Sequence, residues 1–204
     1  MNSSPKPMLI AAALTYGTFP LVFGGVMGLA LYAVAQGWNP VFTAMGLTAA
    51  VVLLLLVLER VHPYQKEWLH SHGDLRTDLI HNLVNFWIPE VYTVAFVGAF
   101  TVAAAWLSNA LGVDLWPSSW PLLAQLLLAL LIAELGTYWI HRLMHEHPLL
   151  WRFHAAHHSA PRLYWLNAGR FHPLDLFAQQ FLGVTPLVLL GADMRIIALH
   201  TLFT

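Results

Sequence analysis

Four apolar stretches, at residues 8–35, 41–58, 79–107 and 121–140, constrain this chain more than anything else in it. A helix needs about 20 apolar residues to cross a bilayer, and it pairs every backbone polar group internally while doing so. Each stretch has that length or comes close to it. Only 9% of the residues are charged, against about 25% in a soluble domain, so polar surface is too scarce to face water on all sides. The expected fold is an all-α polytopic membrane bundle. It divides into an N-terminal span pair with a polar loop, residues 1–78, and a second membrane domain, residues 79–204. A further apolar run at 174–191 contains Pro186, Gly183 and Gly191, and it reads as a fifth span or a re-entrant hairpin.

The cations orient the bundle. Lys6, Arg60, Lys66, Arg76, Arg142, Arg152, Arg162 and Arg170 fall in the terminus and loops that four spans place on one side. The loops at 36–40 and 108–120 carry no Lys or Arg. The positive-inside rule then puts the N-terminus, the 59–78 loop and everything just after the fourth span in the cytoplasm. A net charge of −1 leaves no footprint for nucleic acid, and the absence of cysteine excludes disulfides, thiolate zinc sites and cysteine-ligated iron–sulfur clusters.

Histidine dominates the stretch after the fourth span. Residues 141–158, HRLMHEHPLLWRFHAAHH, hold six of the chain's 12 histidines. Five form two groups, His141-x3-His145 and His154-x2-His157-His158. Residues three and four apart share a helix face, so these imidazoles can converge, and imidazole suits zinc, iron, copper and nickel. His147, just before Pro148, is set aside. Five ligands exceed what one tetrahedral zinc accepts, which favours two metal ions. Beside a bilayer, a pair of ions is suited to activating O2 against hydrocarbon. Histidines at 62, 70 and 72 read as interfacial or packed residues.

Other polar residues point toward the same region. Asp78, His81, Asn82 and Asn85 form a stripe at i, i+3, i+4 and i+7 on the third span, and such a stripe faces the bundle interior or a cavity. His81 is a candidate further ligand or outer donor. Glu134 and Tyr138 share the helix face of His141 and His145, which makes Glu134 a candidate hydrogen-bond partner for a liganding histidine. His172 and Asp175, in RFHPLD, are candidates for the same supporting role, and Tyr164, Trp165 and Trp151 for cavity walls. His200 stands alone.

With these boxes the chain resembles the membrane-bound fatty acid hydroxylase/sterol desaturase superfamily. HRLMH matches its HxxxH box, LLWRFHAAHHS its HxxHH box, and RFHPLD a later segment of bacterial members. The resemblance implies a non-haem centre of two iron ions, with His141, His145, His154, His157 and His158 as ligands. His200 falls where the family has a later histidine-bearing helix. It further implies hydroxylation or desaturation of a fatty-acyl, sterol or related lipid from the bilayer, with O2 as co-substrate. Two electrons would come from a separate reductase, cytochrome or ferredoxin. The family's third HxxHH box is absent before Thr204, so a fragment or a truncated copy is expected. The alternatives are an inactive truncated member, or a membrane metal-binding or transport protein without oxygenase activity. A zinc protease is excluded, because HExxH needs Glu where Arg142 stands.

Overall fold

The computed structural model describes the backbone of residues 5–203 and the side chains of residues 12 and 14–203 apart from those at 89, 93 and 94. The first residues of the polar start and the Lys6 side chain lie outside the described residues. All regular structure among the described residues is helical. The helices are α1 (Pro5–Ala35), α2 (Pro40–Val61), α3 (Leu75–Asn85), α4 (Ile88–Tyr92), α5 (Gly98–Leu111), α6 (Leu122–Glu146), α7 (Pro148–His158), α8 (Pro173–Leu189) and α9 (Met194–Phe203). Among the described residues, four segments are long and apolar enough to cross a membrane: Leu14–Ala35, Pro40–Val61, Leu75–Leu111 and Leu122–Glu146.

Local chemistry explains where these helices begin and break. Asn39 caps α2, its Oδ1 accepting from the N–H groups of Val41 and Phe42 at 3.0 and 3.1 Å, and Pro40 supplies the first turn. The third span is interrupted: α3 gives way near Pro89 to the short α4, and a π-helical turn over Thr93–Val97 leads into α5. Proline lacks the N–H that a continuous helix would use. α5 stops at Gly112, whose φ of 69° is left-handed. α2 buries no residue fully, although Leu47 packs on the core, so much of its apolar surface stays open and suits lipid.

α6 is the axis of the assembly. Its first half packs with α1 and α9 through Leu126, Met27, Ala30, Val34 and Leu199. A second cluster sets Ala129 and Ala133 against Leu187, Ile196 and Trp116. Gln125 ties the preceding loop to this helix, accepting from the Trp116 indole at 2.8 Å and donating to the Trp120 carbonyl at 2.7 Å. Glycine then allows α8 to lie directly on α6. A Cβ built on Gly136 would stand 2.1 Å from the Leu182 carbonyl oxygen, and one on Gly183 would stand 2.9 Å from Thr137 Oγ1. The other side of α8 meets the broken third span in a run of rings, Tyr92, Phe96 and Phe100 against Phe177 and Phe181.

Two expectations are corrected here. The run at 174–191 is not a hairpin. It forms one 17-residue helix that continues through Pro186, and it buries Asp175 against its neighbours. The fourth span is longer than its hydropathy indicates. α6 runs on to Glu146, so His141 and His145 sit in its last turns and not beyond them.

Candidate metal centre

The joint between α6 and α7 builds the site. His147 is their single linking residue, extended at φ −103° and ψ 119° because Pro148 follows it. That one residue folds α7 back on α6, and each helix presents histidines at i and i+4 toward the corner. Nε2 of His145 lies 3.1 Å from Nε2 of His141, Nε2 of His154 lies 3.2 Å from Nε2 of His145, and Nε2 of His158 lies 3.1 Å from Nε2 of His154. All four ligand atoms fall within 4.8 Å of one another.

Hydrogen bonding alone explains this poorly. The Nε2 of His145 stands between two other Nε2 atoms and has at most one hydrogen to aim. Two nitrogens bound to one ion at 2.0–2.1 Å, at tetrahedral or right-angle geometry, lie roughly 2.8–3.4 Å apart. The three contacts all fall inside that window. An all-nitrogen set of borderline softness fits iron, zinc or copper.

Support comes from the opposite edge of His154. Both His154 and Asp175 are completely buried, and Nδ1–H of His154 donates to Asp175 Oδ2 at 2.8 Å. This fixes the tautomer that leaves Nε2 with its lone pair, the arrangement ligating histidines commonly share. Gln179 donates to the other oxygen, Oδ1, at 2.7 Å. His172 serves Asp175 indirectly: it caps α8, its Nδ1 accepting from the Leu174 N–H at 3.1 Å. Burial first, and then the neighbouring imidazoles, push His158 and His157 below the ordinary histidine value, so both are neutral near pH 7.

His157 is not brought into the group of four. Consecutive helical residues point about 100° apart, so His157 and His158 cannot aim at one point. The His157 ring lies flat on Phe171 at 4.3 Å and 11°, and its Nδ1 is buried with no hydrogen-bond partner. Phe171 also links to His81, whose Nδ1–H donates to the Phe171 carbonyl at 2.7 Å. Glu134 is exposed two turns before His141, about 10 Å away along the helix, and the carboxylate that holds a histidine is Asp175. His200 is corrected as well. Its neighbour Leu199 packs on Leu126, about 22 Å along α6 from His141, so this fold does not carry His200 to the cluster.

The polar stripe of α3 proves to be a clamp on the 159–171 segment. Arg170 pairs with Asp78, Tyr164 donates its hydroxyl to Asp78 Oδ2 at 2.7 Å, and Asn82 donates to the Leu166 carbonyl at 2.6 Å. Asn85 reaches the carbonyls of Gly169 and Phe171, both at 2.9 Å. Beside it Arg162 meets Asp74 at 2.6 Å and the Trp68 carbonyl at 2.6 Å. Burial alone would raise the Asp74 carboxyl, but the Arg162 guanidinium outweighs it and holds Asp74 well below the carboxylate range. Burial and the Asp78 carboxylate push the Tyr164 phenol up to about 12, so it remains a donor. Two of the cations used to orient the bundle are therefore also internal ion pairs.

One recess adjoins the histidines, and a second adjoins the first. The first, of about 600 Å³, is walled by His157, His158, Tyr164, Trp165 and Glu59. The second, of about 680 Å³, lies among Leu14, Leu55, Leu58 and Trp68, and it shares Glu59, Leu163, Tyr164 and Trp165 with the first. Trp151 instead stacks on His158 at 5.7 Å.

Comparison with known proteins points to a family of lipid-oxidising enzymes. Residues 126–204 match the fatty acid hydroxylase family model. The ornithine lipid hydroxylase OlsE of Rhizobium tropici is 41% identical over 151 residues, which is 72% of this chain and 45% of that protein. The chain thus spans less than half the length of this curated relative. No solved structure matches.

Proposed function

The chain belongs to the fatty acid hydroxylase/sterol desaturase superfamily, and from that premise we propose that it serves the O2-dependent hydroxylation of a membrane lipid at an iron site held by histidines. The observation that carries the proposal is the convergence of four Nε2 atoms from His141, His145, His154 and His158 within 4.8 Å. Iron bound there would supply the activation of O2 needed to oxidise a C–H bond. The chain's own part is to hold four imidazoles with their Nε2 atoms converging, to fix the His154 tautomer through Asp175, and to shield the site behind Trp151 and the 159–171 segment. His157, with its unpartnered Nδ1, and His81, whose Nδ1 bond leaves Nε2 open, are the residues we assign to a second iron ion.

The substrate is proposed to enter from the bilayer through the two joined recesses, and the relative that acts on ornithine lipid favours an amino-acid-bearing lipid. The cation distribution favours a cytoplasmic position for the histidines, where a separate reductase, cytochrome or ferredoxin would deliver electrons. A metal transporter would hold its ion near mid-span, whereas this cluster occupies the last turns of α6 and the returning α7.

The test is metal analysis joined to product analysis. Purified protein in lipid nanodiscs should retain iron without a haem spectrum. With a reductant and labelled O2 it should place one labelled oxygen atom in the lipid. Iron-replete protein that reduces O2 but leaves every lipid offered unlabelled would overturn the hydroxylase assignment. Retention of a single zinc per chain in place of iron would overturn the metal assignment.

A further inference from the structure

We propose that Glu59 selects the substrate by receiving the ammonium group of a lipid whose headgroup carries a free amine, an inference that rests on the lipid hydroxylase reading. Glu59 lies in the last turn of α2, on the wall common to both recesses. It stands between the apolar trough of Leu14, Leu55 and Leu58 and the chamber that reaches His157 and His158.

The charges around it are already committed elsewhere. Arg162 is taken by Asp74 and the Trp68 carbonyl, and its guanidinium also covers the Tyr164 ring, 3.8 Å from the centroid. Arg60 folds back on its own helix, donating to the Leu56 carbonyl at 2.7 Å. His62 is joined to Thr15 at 3.1 Å. Among the described residues no cation lies within ion-pair distance of Glu59.

The half-buried Glu59 carboxylate has the Trp165 backbone N–H as a partner and feels Arg60 and Arg162 at longer range, but apolar and aromatic walls keep much of its water away, so a cation that joins it directly recovers interaction lost on burial. A molecule that also covers Leu14, Leu55 and Leu58 must bring hydrocarbon. An amino lipid meets both demands at once. A lipid whose headgroup is purely anionic would place like charge against Glu59 and be rejected. Because Glu59 borders the chamber of His157 and His158, holding the ammonium also fixes how far the rest of the lipid extends toward the histidines.

The test compares binding of an ornithine-type amino lipid with the same lipid acetylated on its amine, using the purified protein in nanodiscs under anaerobic conditions. The wild type should bind the free-amine lipid at least tenfold more tightly. Glu59→Gln should erase that preference, Glu59→Asp should keep part of it, and Glu59→Lys should favour anionic phosphatidylglycerol. Iron content and melting temperature equal to wild type identify the variants as folded, and Glu59→Asp carries the test should Glu59→Gln not fold. Equal binding of the two lipids by the wild type, or an unchanged preference in Glu59→Gln, overturns the proposal. So does displacement of the lipid by n-butylamine at comparable concentration, which would mark a site for soluble amines. Binding is read without turnover, so failure of the hydroxylase reading shows itself separately, as selective binding with no oxygenated product.

Discussion

Replacing Asp175 with Ala isolates what the buried carboxylate does for the metal site. In the wild type Oδ2 accepts from Nδ1–H of His154 at 2.8 Å and Oδ1 from Gln179 at 2.7 Å, with His154 and Asp175 both fully buried. Removing the carboxylate leaves Nδ1–H with no acceptor, which costs roughly 1–3 kcal/mol in the folded protein. It also frees the imidazole to rotate or to move its proton to Nε2, where the proton would occupy the lone pair that binds metal. Loss of such a supporting contact weakens metal binding about 10–100-fold, or roughly 1.4–2.8 kcal/mol. The assay is competition against a chelator of known affinity, run beside thermal unfolding of the metal-free form. Asp175→Asn, which keeps an acceptor oxygen, should fall between the wild type and Asp175→Ala. If Asp175→Ala holds metal as tightly as the wild type while remaining folded, the carboxylate has no part in preparing His154 and the reasoning fails.

Other perturbations probe the frame of the site. His157→Ala should keep the ion held by the four converging nitrogens and lose any second one, so iron per chain should fall by about half; complete loss of iron would show that His157 belongs to the first site. Acid should release the metal and destabilise the protein together. The folded values of His157 and His158 are depressed, so the unfolded chain takes up protons first, and stability is full above about pH 6.5 and declines below it. A melting temperature that rises from pH 7 to pH 5.5 contradicts this. Gly136→Ala puts a methyl 2.1 Å from a backbone oxygen of α8, and overpacking of that kind costs about 1–3 kcal/mol or more; an unchanged melting temperature would show that α8 is not seated on α6 at this glycine. Arg162→Ala leaves the buried Asp74 carboxylate unpaired, at about 3–5 kcal/mol, whereas Arg162→Met combined with Asp74→Leu should recover most of that loss in a thermal melt.

Hydropathy exposed the spans because a bilayer imposes a length, and the i, i+4 histidine pairs were visible because helical spacing is local. The count of ligands was less legible. His154-x2-His157-His158 reads as three convergent rings only until the 100° between successive side chains is applied. His157 then turns to Phe171, a contact no spacing rule contains. The partner of His154 was ambiguous for a related reason. Glu134 shares a helix face with His141, but α8 must be seated on Gly136 before Asp175 is seen to reach α7. Periodicity correctly marked the stripe on α3 as inward-facing. Its partners are loop carbonyls and Arg170, about 90 residues away, and that pairing is a property of the tertiary fold alone.

That clamp also bears on how substrate and metal are coupled. Tyr164 walls both recesses and donates to Asp78 Oδ2. The other oxygen of Asp78 is held by Arg170, whose Nη1 reaches Ser159 Oγ at 3.3 Å, directly after His158. A single buried carboxylate therefore joins a wall of the two recesses to the C-terminal end of the helix that carries three histidines. Occupation of the recess cannot displace Tyr164 without disturbing Asp78, and Asp78 cannot shift without loosening Arg170 and the end of α7. Tyr164→Phe removes the hydroxyl while keeping the ring, so it should leave the recess filled but slacken this connection. The expected signature is a severalfold weaker dependence of metal affinity on bound lipid, measured by chelator competition with and without substrate lipid. An identical lipid dependence in Tyr164→Phe and wild type would mean that Tyr164 merely lines the path and that the two sites communicate, if at all, by another route.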